Sequence, residues 1–170
     1  MKFSMVEDYS LRCLSLLARF PGQRLTIGRI AESEGLSDEN TAKIMARLRD
    51  AGLVESYRGK DGGYALSRSA SQISVADVLG GVGGEFFELD LCRGANDSLA
   101  CVHQSDCAIR SVWTTLGEVI RTFLASVTLA DLIQPENAIH LALTRERNGL
   151  ATSHFASHRR LPSHNSQEVS

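Results

Sequence analysis

No apolar run in this sequence approaches the ~18 residues that a membrane-spanning helix needs, and the opening MKFSMVEDYS lacks the basic and apolar stretches of a secretory signal. The expectation is a cytoplasmic protein with no membrane partner. The sequence has no C-x-x-C pair, no glycine-rich strand-turn-helix of a nucleotide site, no Ser, His and Asp set and no internal repeat. Those absences argue against an enzyme or an electron carrier. Charge of one sign is not in excess either. The formal net charge is -2, with ten Lys and Arg against nine Asp and Glu in residues 1–67 and eight against eleven in residues 68–170. Any contact with nucleic acid must therefore rest on local placement of charge.

What the chain has is a run of helical signals within 170 residues, 43% of them hydrophobic, enough for one compact domain with an oligomerisation element. From Val6 to Phe20, Leu11, Leu14, Leu17 and Ala18 recur at helical spacing, and PGQ stops the helix. A short second helix starts near Thr26, turns Ile27, Ile30 and Ala31 inward, and stops at Gly35. Ser37 then caps a third, whose Ile44, Met45 and Leu48 make one apolar stripe and which ends at Gly52. Two helices joined by a short glycine turn form a helix-turn-helix pattern. The runs LVESYR and YALS flank a glycine-rich, charged turn and predict a β-hairpin. The fold class expected is mainly α with a small β-hairpin wing, a winged helix-turn-helix followed by a long dimerisation helix.

Further along, ISVADVLGGVGG predicts a short helix from Ser74, while GGVGGEFF reads as a linker. A polar segment then carries Cys92, Cys101 and Cys107, and residues 106–127 hold Ile109, Val112, Trp113, Leu116, Val119, Ile120, Phe123 and Leu124 at helical spacing. That stripe is long enough to join two copies as well as to cover a core. TLADLI predicts a short helix capped by Thr128. The domain boundaries expected are 1–82, 83–134 and a polar, disordered tail at 135–170.

A helix that reads the major groove shows polar side chains to base edges, while backbone amides and cations hold phosphates. Opposite the apolar stripe of the third helix stand Ser37, Glu39, Asn40 and Lys43, the candidates for base contact, with Arg47 and Arg49 suited to phosphate or to solvent. In the hairpin turn, Arg58, Gly59, Lys60, Gly62 and Gly63 form a segment that can approach DNA closely because glycine has no side chain. Arg58 suits a narrow minor groove and Lys60 a phosphate. Hairpin geometry alone explains the glycines but leaves both cations unexplained.

The cysteine spacing is C-x8-C-x5-C. Clustered cysteines in a reducing compartment suggest a metal or redox centre before disulfides. Structural zinc sites usually contain a tight C-x2-4-C knuckle, which is missing here, whereas a longer loop can wrap an iron-sulfur cluster. A zinc-loaded loop or a cluster-free thiol switch stays open as the alternative. Cys13, among leucines in the first helix, reads as a packing residue.

The order of these pieces over residues 1–134 resembles the winged-helix iron-sulfur transcription regulators of the IscR/NsrR/RirA family. The resemblance rests on GLVESYRGKDGGYAL, which looks like the family's wing, on the three-cysteine segment and on TLADLI. It implies a homodimer that binds a double-stranded DNA operator, a repressor by expectation. Its DNA affinity would follow a 2Fe-2S or 4Fe-4S cluster that senses nitric oxide, redox or iron status. It further implies that Cys92, Cys101 and Cys107 are ligands and that Arg58 and the glycine turn contact DNA. Where one branch of the family carries a ligating histidine, this chain has Arg110. In another branch an aspartate in the first helix of the other subunit completes the site, and Asp8 stands at the matching place; His103 is the alternative and Glu7 a third.

Overall fold

The computed structural model describes residues 4–59, 61–83, 107–141 and 143–144. Helix α1 spans Met5–Ala18. Its start is a reciprocal cap: the Ser4 hydroxyl accepts from the Glu7 amide and the Glu7 carboxylate accepts from the Ser4 amide at 2.6 Å. Such a cap stabilises a helix by about 1 kcal/mol. Helix α2, Ile27–Glu34, is capped by Thr26 and terminated by Gly35 in the left-handed conformation, φ 66°. Helix α3, Asp38–Asp50, is capped by Ser37. The stop signals read from the sequence thus act where they stand.

After α3, strands β1 (Val54–Tyr57) and β2 (Gly63–Leu66) pair antiparallel in the register Val54 with Leu66 through Tyr57 with Gly63. Leu25, just before α2, adds a bridge to the outer edge of β2 through two backbone bonds with Tyr64, of 3.0 and 2.8 Å. The wing is therefore tied to the helix-turn-helix by main chain as well as by packing.

A short 3-10 turn at Ala70–Gln72 leads to helix α4, Val75–Gly83. Gly80, Gly81 and Gly83, shared by the segment expected to be helical and the one expected to be a linker, belong to this helix. The reason is close approach. A Cβ at Gly81 would stand 2.8 Å from the Ala51 Cβ, and one at Gly83 would collide with the Glu7 carboxylate. Low helix propensity is offset because the bare backbone at Gly81 lets α4 lie against the end of α3 and that at Gly83 leaves the Glu7 carboxylate its place.

Helix α5, Ala108–Ser126, and helix α6, Leu129–Leu132, follow. The turn between them pairs back with the start of α4: Val75 donates to the Val127 carbonyl at 2.8 Å and Leu129 to the Ile73 carbonyl at 2.9 Å. The core beneath gathers Leu14, Leu17, Leu25, Ile30, Met45, Leu48, Leu53, Ile73, Val78 and Leu129, all buried. Each such aliphatic side chain contributes about 1.5–3 kcal/mol by leaving water. Cys13 is fully buried with them.

The chain divides into two units, residues 1–133 and 134–170. In the second, residues 136–141 are helical where a disordered tail was expected. Pro135 stands just before the start, and its carbonyl accepts from the amides of Ala138 and Ile139. Among the described residues no helix is long and apolar enough to cross a membrane.

Candidate nucleic-acid interface and cysteine centre

Helix α3 buries Thr41, Ile44, Met45 and Leu48 against α1 and α2, which turns Ser37, Glu39, Asn40, Lys43 and Arg47 outward as one exposed row. The structure brings these five candidates together. Three are already engaged. The Ser37 hydroxyl accepts from the Asn40 amide at 3.3 Å, and Lys43 is 2.7 Å from the Glu39 carboxylate. Arg47 forms no ion pair with any described residue, whereas Arg49 pairs with Asp50. Arg47 is thus the free cation of the row. A cleft of about 250 Å³ runs beside it, with Met5, Val6 and Tyr9 of α1 facing Asn40, Lys43 and Arg47.

The wing presents Arg58 and Gly59 exposed at its turn. Arg58 has no ion-pair partner among the described residues, so its charge is open to a phosphate or a groove. Lys60 lies outside the described residues. The glycines have geometric reasons of their own. Gly59 has φ 99° with open space around it, while a Cβ at Gly62 would meet the Tyr57 carbonyl and one at Gly63 the Leu25 carbonyl. Sequence reasoning missed Arg24, which lies over the Tyr57 ring at 3.8 Å and donates to the Asp61 carbonyl at 3.4 Å. The only signal for this strand edge is one apolar residue, Leu25, between Arg24 and Thr26.

Of the cysteine centre, Cys92, Cys101 and the alternative ligand His103 lie outside the described residues. Cys107 is a free, half-buried thiol at the N-cap of α5. Asp8 is exposed on the first turn of α1 and pairs with Arg12 at 2.8 Å. That hydrogen bond, with the attraction of the charges, raises the Arg12 pKa. The end of α4 lies against Glu7, so the chain enters the cysteine segment beside the first turn of α1. Thiolates with one carboxylate are a donor set that iron accepts, and the described members of it are accessible. Cys13 is a different case, for burial pushes its pKa up to about 12. It is a packing residue.

Helix α5 is amphipathic in an unusual sense. Its N-terminal half leaves Ile109, Val112, Trp113 and Leu116 exposed, at 68%, 63%, 44% and 37%, while Gly117 is buried. Four large apolar side chains in one exposed stripe are more than a monomer surface normally carries.

Comparison with known proteins follows the same lines. The Rrf2 family, described as iron-dependent transcriptional regulators, matches residues 4–135. The HTH-type transcriptional regulator IscR of Xenorhabdus nematophila is 34% identical over 113 residues, covering 66% of this chain and 66% of that protein. The regulator of the same name from Vibrio parahaemolyticus is 32% identical over 160 residues, 94% of this chain and 92% of its own. Among solved structures, CymR, the global cysteine regulator of B. subtilis, superposes with a TM-score of 0.66 at 27% identity, covering 78% of this chain and 96% of its own.

Proposed function

Since this chain belongs to the Rrf2 family of transcriptional regulators, we propose that it is a homodimeric, cytoplasmic repressor whose grip on its operator is set by an iron-sulfur cluster on Cys92, Cys101, Cys107 and Asp8. The observation that carries this reading is the position of Asp8. It stands on the helix whose Met5, Val6 and Tyr9 flank the exposed row of α3, so a ligand change at Asp8 bears on the helix that borders the residues offered to DNA.

DNA engagement divides by chemistry. Glu39, Asn40 and Lys43 address base edges in the major groove: Asn suits adenine, Lys suits guanine and a carboxylate accepts from cytosine. Ser37 holds the helix terminus in place for them, and Arg47 and Lys60 take phosphates. Arg58 enters the minor groove, with Gly59, Gly62 and Gly63 keeping the turn narrow. Dimerisation through Ile109, Val112, Trp113 and Leu116 of α5 sets two such surfaces on a pseudo-palindromic site.

A bound cluster supplies a centre sensitive to nitric oxide, oxygen and iron supply. Cys107 offers a free, half-buried sulfur at the N-cap of α5. Asp8 is the weak donor of the set, and Arg12 at 2.8 Å competes for it. Were Asp8 to hold the cluster it would have to leave Arg12, and loss of the cluster would return the carboxylate to that partner.

Protein purified without oxygen should absorb visible light and contain matching iron and sulfide. The triple Cys92, Cys101 and Cys107→Ala variant should be colourless, and nitric oxide should change operator affinity of the parent but not of this variant. An iron-free, colourless parent would overturn the cluster reading. That result would favour the second reading, a thiol switch or zinc loop on the same DNA-binding frame, for which the likeness to a cysteine regulator and the free Cys107 thiol speak.

A further inference from the structure

The wing carries one cation to which neither the sequence pattern nor the family match assigns a role. In antiparallel pairing, residues directly opposite lie on the same face of a sheet. Tyr57 is opposite Gly63, and the Leu25 bridge to Tyr64 puts Arg24 level with Ala65, two residues on. Arg24, Ala65, Gly63 and Tyr57 thus share one face of a three-strand edge. The middle strand offers only a hydrogen and a methyl group there, so a guanidinium can lie flat across it. It does so, 3.8 Å from the Tyr57 ring centroid, with Nη1 directed to the Asp61 carbonyl. The Tyr57 hydroxyl in turn donates to Glu55 on its own strand, which fixes the ring. The strap runs from the helix-turn-helix edge, over β2, to the far strand and the turn.

Arg58 follows Tyr57 directly, and Asp61 closes the same turn. Among the described residues, the turn's own backbone bond is Gly62 N–H to the Gly59 carbonyl, 3.0 Å. Glycine-rich turns of this kind are loose by nature. We propose that Arg24 is a positioning residue of the DNA interface, a planar strap across the wing that holds the turn in the attitude from which Arg58 meets DNA. It lies on the edge of an open cavity of about 380 Å³ shared with Phe20, Tyr57 and Arg68, so its removal leaves the core untouched.

This inference rests on the DNA-binding reading of Arg58, and its test separates the two. Arg24→Ala should weaken operator binding roughly tenfold, and by less than about twofold when made in an Arg58→Ala background, since non-additivity marks residues acting as a unit. The salt dependence should stay as in the parent, because a direct phosphate contact would reduce the slope by about 0.9. Hydrogen exchange at the Gly62 amide, measured without DNA, should quicken in Arg24→Ala and in Tyr57→Leu. Arg24→Lys keeps the charge but loses the planar stack and should behave like Arg24→Ala. Equal losses with and without Arg58, a reduced salt slope with unchanged exchange, or full rescue by lysine would each overturn the proposal. If Arg58→Ala alone leaves operator affinity unchanged, the DNA reading of the wing fails, and unchanged exchange at Gly62 is what would sink the strap itself.

Discussion

Replacing Gly63 with alanine should damage the protein more than the same change at Gly59, although both glycines belong to the hairpin and have positive φ. Gly63 has φ 146°, and a Cβ built there would stand 2.7 Å from the Leu25 carbonyl oxygen and 2.9 Å from its carbon. Neither atom can yield easily, because Leu25 is held by two backbone bonds to Tyr64. Accommodating the methyl group means opening that bridge. Two backbone hydrogen bonds at about 0.5–1.5 kcal/mol each and about 1–2 kcal/mol for the backbone conformation sum to roughly 2–5 kcal/mol. At Gly59, with φ 99° and nothing within 4 Å, only the conformational part of about 1–2 kcal/mol remains. For a folded unit of this size the difference translates into a Tm loss of roughly 8–20 °C for Gly63→Ala against about 4–8 °C for Gly59→Ala. Circular dichroism melts of the metal-free protein measure both, and fluorescence anisotropy with operator DNA measures the consequence for binding. A Gly63→Ala protein that melts with the parent, or a Gly59→Ala protein that melts below the Gly63→Ala protein, would refute the claim that the Leu25 bridge anchors the wing.

Two further outcomes follow from burial. Cys13 is fully buried with its pKa near 12, so in native protein at neutral pH a maleimide should label Cys107 and spare Cys13 until denaturant is added; prompt labelling of Cys13, read by mass spectrometry, would contradict the packing. Because the folded thiol holds its proton more tightly than the unfolded one at about 8.5, its stabilising contribution is whole below that pH. The contribution is lost as pH rises from there towards about 12. A Cys13→Ala variant should show a shallower loss of stability on that alkaline limb. On α5, the double change Val112→Asp and Trp113→Asp places charges in the exposed apolar stripe. Sedimentation should show monomers in place of dimers and operator affinity should collapse, with an unchanged far-ultraviolet spectrum; a variant that stays dimeric would remove α5 from the interface.

What was legible in the sequence was what is settled locally. Ser37 and Thr128 cap because a hydroxyl needs only amides three residues away, and Gly35 ends α2 because the left-handed turn is a property of one residue. The row from Ser37 to Arg47 could be placed on one face by period alone, and its exposure follows from what the opposite face buries. The glycines of α4 show the limit: GGVGGEFF reads as a linker by propensity, yet Gly80, Gly81 and Gly83 are helical, with Gly81 packed against Ala51 and Gly83 against Glu7. Arg24 shows it more sharply. Nothing near it in sequence distinguishes it from Arg19 or Arg29, and its place depends on Gly63 and Ala65 both being small on the face between it and Tyr57. A chain with the same wing motif but a bulky residue at position 65 would still form the hairpin. It would lose the strap, because the guanidinium could no longer lie across the middle strand, and Arg58 would ride on a turn braced by its backbone alone.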